Sequence, residues 1–276
     1  MLYGSIQFNK KLTLAIKIYK QGKSLMLKSA KIRETTAKKY YKGPESGTLI
    51  QLFNDEIDFF EKHKTGKVTG KGVLCNRISS FLLSKLSEAG FPTSFIRRLN
   101  MREQLIRETE KLPIFLIIRN VAAGHFAKRL GLIEGTKLPQ PLIEVFYHAS
   151  DLDHPQISIE HLLSFSWFTA TEVEVIINYT RRLNDFLCGF FSGINFRLVD
   201  MKIQFARLSD HDDQKIVLDQ DISPDSCRLW DMNANAKDAL GKELFGSGRI
   251  YQELAKRLSV FSDDGAKDFT TTTSIQ

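Results

Sequence analysis

Cysteine is scarce in this chain: Cys75, Cys188 and Cys227 are odd in number, widely separated, and form no Cys-x-x-Cys pair. That pattern argues against a disulfide framework or a cysteine-built zinc site and points to a reducing compartment, the cytoplasm. Long apolar runs are also missing. None approaches the roughly 18–20 residues a membrane span requires, and the longest apolar piece of the opening segment, "LTLAI", is too short for a signal-peptide core. No Walker motif, dinucleotide fingerprint, HExxH or GxSxG occurs. Acid is absent from residues 1–33, which hold eight cations, so the net charge of +7 belongs to this arm; the remainder carries 31 basic against 32 acidic residues. Such an arm is open to two readings: a solvated extension or unusual first strand, or a contact for nucleic acid or an anionic surface. The binding role is the less favoured of the two, and nucleic acid is the partner that fits it best.

What remains has the composition of an ordinary globular protein, 42% hydrophobic and 26% charged, with a chain long enough for a large core. Strand patterns appear at "TLIQLF" (48–53), "TSFIRRL" (93–99), "IFLIIRNV" (114–121) and "LIEVFY" (142–147). The third is a near-continuous apolar run, as in a strand covered on both faces. Helical periodicity predicts one helix from about Gly72 to Ala89, ended by Gly90-Phe91-Pro92. It predicts a second from about Ala170 to Phe191, with Thr171-x-x-Glu174 as its capping box, and a third over 248–259. Two further strands, 196–206 and 214–219, are expected to flank a polar turn at Ser209–Asp213, and the tail 263–276 is expected to be disordered. Strands and helices mix without strict alternation, which favours α+β.

Three stretches concentrate chemistry. In "IRNVAAGHFAKRLGLIEG" (118–135), Arg119 ends a strand that reads as buried, where an unpaired cation is costly, so it needs an anionic partner from ligand or protein. Gly124 opens the following helix behind two alanines and lets backbone N–H groups approach an anion; His125, Lys128 and Arg129 follow. In "LVDMKIQF", alternation puts Val199, Met201, Ile203 and Phe205 on one face and Asp200, Lys202 and Gln204 on the other, an arrangement that suits a polar cleft or an exposed sheet face. In "LDQDISPDSCRLWD", Asp219, Asp221, Asp225 and Asp231 surround Arg228, as for a Mg²⁺ site that also uses substrate phosphates, or for a surface turn.

These residues also resemble a known family. "RNVAAGHFAKRLGLIEGTKLPQPLIEVFYH", "LVDMKIQF" and "DISPDSCRLWD" resemble the SAICAR synthetase family. "GPESGTLIQLFND" and "GKGVLCNRISSFLLSKLSEAGFPTSFIRRLNMREQLI" are similar to its alphaproteobacterial form, the likeness running from about Ile32 to Ser259. The resemblance implies an α+β fold: a small β-rich lobe (32–112) after the basic extension (1–31), a larger lobe (113–262), and an ATP cleft between them. It implies a purine-biosynthesis ligase joining L-aspartate to carboxyaminoimidazole ribonucleotide with ATP hydrolysis. Position by position, it implies that Arg119 and Arg228 bind the ribonucleotide, together with Gly124 and His125. Lys38 and Lys202 would contact the nucleotide, and Lys202 and Asp200 would be the catalytic cleft pair. An Arg119→Ala change is then expected to weaken ribonucleotide binding with little effect on the fold. A homo-oligomer fits this reading, and a membrane partner does not.

The sequence also departs from the family pattern. Its Gly-Lys-Ala-Lys is Thr35-Thr36-Ala37-Lys38, a substrate-contacting serine is His125, and the metal-binding glutamate and aspartate are Gln204 and Gln220. The segment after Trp230-Asp231 lacks two family arginines. A Mg²⁺ site would then fall to Gln204 with Asp219 and Asp221. Two readings follow: the working ligase, or a catalytically impaired relative with a nucleotide-binding or structural role.

Overall fold

A computed structural model describes residues 30–57, 66–208, 215–233 and 248–260. Most of the basic arm, the Ser209–Asp213 turn, the segment that follows Trp230-Asp231 and the C-terminal tail lie outside these residues.

Thirteen strands and five α-helices are described, and the fold is α+β. The first sheet has the order β1-β2-β3-β5-β4, from β1 (Lys31–Glu34), β2 (Lys38–Lys42), β3 (Thr48–Phe53), β4 (Phe95–Arg98) and β5 (Glu103–Arg107). The second has the order β13-β10-β7-β8-β9, from β7 (Ile114–Val121), β8 (Lys137–Tyr147), β9 (Gln156–Ile157), β10 (Phe196–Ile203) and β13 (Cys227–Asp231). A third, β12-β11-β6, joins β6 (Thr109–Lys111), β11 (Phe205–Leu208) and β12 (Ile216–Leu218). Neighbouring strands in all three sheets are antiparallel.

The helices are α1 (Lys71–Glu88), α2 (Gly124–Arg129), α3 (Ile159–Ser164), α4 (Ala170–Gly193) and α5 (Arg249–Arg257). The predicted stop of α1 is present: Gly90 takes a φ of 82°, the left-handed conformation that a residue without Cβ reaches most readily. The capping box of α4 lies one step earlier than the sequence pattern suggested. Thr169 is extended and caps the helix, its hydroxyl accepting from the Glu172 amide at 3.2 Å while Glu172 accepts from the Thr169 amide at 2.9 Å. Thr171 is already helical, so its backbone geometry cannot serve as an N-cap.

One core spans the chain, joining Ile78, Leu82 and Leu86 of α1 to Ile176, Leu183 and Leu187 of α4 and Leu254 of α5. Strand β7 contributes Ile114, Leu116 and Ile118 to it. The alternate residues Phe115, Ile117 and Arg119 are buried but belong to the opposite face, as strand geometry requires. Among the described residues, no helix is long and apolar enough to cross a membrane.

Two expectations for "LVDMKIQF" are corrected. The strand breaks at Gln204: β10 ends at Ile203 in one sheet and β11 begins at Phe205 in another. The Gln204 amide donates to the Gln220 side chain at 2.8 Å, a bond that marks the switch. Val199 does not share the core with Met201 and Ile203; it packs with Val121, Ala123 and Trp230. A register shift between Leu198 and Asp200 inserts one residue against β13, and such a bulge reverses the alternation that simple counting assumes.

Candidate functional site

Alternating with Met201 and Ile203, Asp200 and Lys202 stand on the face of β10 away from the main core, with Asp200 opposite Arg119 and Lys202 opposite Ile117 on β7. Arg119 donates through Nε to Glu144 at 2.5 Å and through Nη1 to Asp200 at 3.0 Å. Arg228, brought in by β13, lies 3.2 Å from Asp200. Arg129 reaches the second oxygen of Glu144, and Phe126 of α2 lies beneath both guanidinium groups, 4.8 Å from Arg119 and 5.9 Å from Arg129. The anionic partner demanded by Arg119 is therefore protein carboxylate. Among the described residues, three arginines share two carboxylates.

This changes the expectation for Arg119→Ala. With Arg119 buried between two buried carboxylates, its removal takes a bonded cation from each, leaving Asp200 to Arg228 and Glu144 to Arg129, so the fold as well as the ligand should feel the loss. Glu144 was not singled out in the sequence. Its signal was a lone carboxylate inside the apolar "LIEVFY" strand. Gly124 begins α2 with φ 55°, and His125 is exposed beside it.

A second polar group forms around the "DQDISPDS" loop, which is buried rather than superficial. Lys38 of β2 pairs with Asp221, whose other oxygen accepts from the Ser223 hydroxyl at 2.7 Å. Burial alone would raise the Asp221 pKa, but Lys38 and Ser223 hold it below the usual carboxylate value. Lys71, 1% exposed, sits 2.5 Å from Asp225 and donates to the Glu56 carbonyl at 2.7 Å. Tyr251 donates to Asp225 at 2.6 Å. Lys71 was missed in the sequence, although a cation in the first turn of a helix opposes the macrodipole and is a usable signal.

Between these groups lies a patch of cations. The Lys202 ammonium lies 4.2 Å from the centre of the Phe115 ring, and Lys111 of β6 pairs across the ladder with Ala206. His148 accepts from the Gln204 amide at 3.0 Å; burial, with Lys202, His154 and Lys111 nearby, pushes it down to about 4, so it is neutral. Burial, with the cations Arg33, Lys38 and Lys202 opposing the pull of Asp219, lowers Lys111 from 10.5 to about 8.

The sign of this shift gives a prediction. The folded pKa of Lys111 lies below the unfolded one, so the unfolded chain binds more protons between about 8 and 10.5, and the Lys111 contribution to stability rises with pH through that window. Lys111→Met should therefore stabilise the fold by on the order of 1–3 kcal/mol near neutral pH. Paired thermal melts should show this advantage shrinking by about pH 10.

The Mg²⁺ expected from the resemblance meets a donor set with few free carboxylates. The Gln220 carboxamide is engaged at both ends, accepting from Gln204 N and donating to the Lys202 carbonyl at 2.6 Å. The Gln204 side chain is held by His148 and Asp221 by Lys38, which leaves a buried, unbonded oxygen of Asp219. Among the described residues, no group of three His, Cys, Asp or Glu side chains comes together to hold a metal. The residues do not form an all-protein cation site; Asp219 would hold a magnesium ion only together with substrate phosphates.

Comparison with known proteins supplies the context. The family model described as SAICAR synthetase matches residues 31–257. Phosphoribosylaminoimidazole-succinocarboxamide synthase of Acidiphilium cryptum is 47% identical over 246 residues, covering 88% of this chain and 97% of that protein. The crystal structure of the Ehrlichia chaffeensis synthase is similar with a TM-score of 0.78 and 38% identity, covering 85% of this chain and 100% of that one. A structure titled "SAICAR synthetase (Type-2) in complex with ADP" has a TM-score of 0.74 and 28% identity, covering 86% and 99%.

Proposed function

The chain belongs to the SAICAR synthetase family, in its alphaproteobacterial type, and from that premise we propose that it joins L-aspartate to carboxyaminoimidazole ribonucleotide with ATP hydrolysis in cytoplasmic purine biosynthesis. In this reading the ribonucleotide carboxylate takes the terminal phosphoryl group of ATP, giving an acyl phosphate and ADP. The aspartate amine then attacks the acyl carbon, phosphate leaves, and an amide remains.

The observation that carries the reading, beside family membership, is the distribution of charge. Every reactant is anionic, and the two polar groups flank a patch rich in cations. The nucleotide lies between the lobes 32–112 and 113–262, with Lys38 and Lys202 at its phosphates. Such preorganised cations act where charge develops on the transferring phosphoryl group. Arg119 and Arg228 meet the ribonucleotide with the Gly124-His125 corner. Asp200, fully buried between the two arginines, is a positioning residue that fixes both guanidinium groups. Magnesium is given no step; Asp219 would hold it together with the nucleotide phosphates, where it would neutralise their charge.

ADP release measured with ATP, ribonucleotide and aspartate together, and with each omitted, tests the proposal. Release that requires all three is expected, and it would eliminate the reading of a catalytically impaired relative. Release independent of aspartate, or none, would contradict the ligase.

A further inference from the structure

We propose that Phe115 is a positioning residue for phosphoryl transfer: its ring, held by Phe146, His148 and His154, fixes the Lys202 ammonium where phosphoryl charge develops. The inference rests on the reading above that Lys202 meets the nucleotide phosphates. It adds to that site a residue that carries neither charge nor a polar side-chain atom.

The strand ladders set the arrangement. On one side of β7, Phe115 pairs directly with Phe146 of β8. On the other, Lys202 of β10 pairs with Ile117, two residues along, which puts it on the diagonal from Phe115 and within reach of a long side chain. The two phenyl rings stack at 5.2 Å with 6° between their planes, and the Lys202 ammonium lies over the Phe115 ring, 4.2 Å from its centre. Phe115 is buried, but it alternates away from Ile114 and Leu116 of the main core and shares its face of β7 with Arg119.

The loop from His148 to Pro155 holds the same ring from further sides. His148 and His154 meet Phe115 nearly at right angles, at 5.8 Å and 89° and at 5.5 Å and 80°. Backbone bonds pin both ends of the loop: the His148 amide donates to the Pro113 carbonyl at 2.8 Å and the Tyr147 amide to the Pro155 carbonyl at 2.9 Å. Asp153 and His154 take φ of 53° and 49°, two consecutive left-handed residues that are not glycine, and the buried Nδ1 of His154 has no hydrogen bond among the described residues. Strain and an unsatisfied ring nitrogen both cost stability, and the contact they maintain is that of His154 with Phe115. His148 is in turn bonded at 3.0 Å to Gln204, two residues after Lys202.

Lysine carries its charge at the end of a flexible four-carbon stem. An aromatic face attracts an ammonium through its quadrupole and adds no formal negative charge, so this contact orients Lys202 without neutralising it. Orientation counts at a reacting centre, where a displacement of about 1 Å can cost about 10²-fold in rate.

The test is the steady-state kinetics of ADP formation by the full chain. Phe115→Leu should lower kcat and kcat/KM for ATP equally, by about tenfold. A trifluorinated phenylalanine at position 115 keeps the ring's shape while withdrawing the negative charge from its face. It should reproduce most of that loss, which a purely structural role would not. Adding Phe115→Leu to Lys202→Met should cost no more than about twofold beyond Lys202→Met alone, because the ring acts through the ammonium. Full turnover with the fluorinated ring, a loss confined to KM, or losses that multiply in the double variant would overturn the inference. Wild-type turnover in Lys202→Met removes the role of Lys202 and this inference together. An impaired Lys202→Met beside a fully active fluorinated chain removes this inference alone.

Discussion

Asp200→Ala is expected to destabilise the fold by about 3–5 kcal/mol, the cost of breaking a buried ion pair from one side. Asp200 is fully buried at the junction of β7, β10 and β13, 3.0 Å from Arg119 and 3.2 Å from Arg228. Alanine would leave both guanidinium groups in place without their shared carboxylate, and Glu144 can compensate only on the Arg119 side. Asp200→Asn keeps an acceptor oxygen of the same shape and should lose less. Urea denaturation measures both variants. A loss below about 1 kcal/mol for alanine would mean that solvent or another group neutralises the arginines, contrary to the geometry described.

Lys202→Met should leave the fold intact and lower ADP-forming turnover by about 10²–10³-fold, as when one preorganised donor to developing charge is removed. The side chain is half-buried, lies over Phe115 and contributes to a patch already rich in positive charge. Its removal therefore relieves repulsion on Lys111 and His148 while deleting a cation at the proposed phosphoryl position. Steady-state kinetics and thermal melts on the same preparation separate the effects. Wild-type turnover in a folded Lys202→Met variant would refute its proposed role; a melting temperature lowered as far as that of Asp200→Ala would make it structural.

The stability prediction depends on contacts that the sequence disclosed only in part. The long helices α1 and α4 were legible because their apolar periodicity is sustained, and β7 because a continuous apolar run marks a strand buried on both faces. Arg119 was legible as a cation in need of a counter-charge, but Glu144 and Asp200 reach it through cross-strand register, which has no local sequence signal. The same limitation hid the Lys71–Asp225 pair, whose members lie 154 positions apart in the chain. Lys111 escaped because β6 is three residues long, too short for alternation to register. The Val199 bulge could not be counted out from "LVDMKIQF", since one inserted residue changes the face of everything before it. The family pattern identified Gln204 and Gln220 as departures, whereas only the structure shows them bonded together as the joint between two sheets.

The most direct measurement of the central claim follows the nitrogen. With ¹⁵N-aspartate, ATP and carboxyaminoimidazole ribonucleotide, the label should appear in a new amide on the ribonucleotide, one for each ADP formed. ATP consumption without labelled amide, or a preparation that binds nucleotide and forms neither product, would contradict the assignment as an amide-forming ligase.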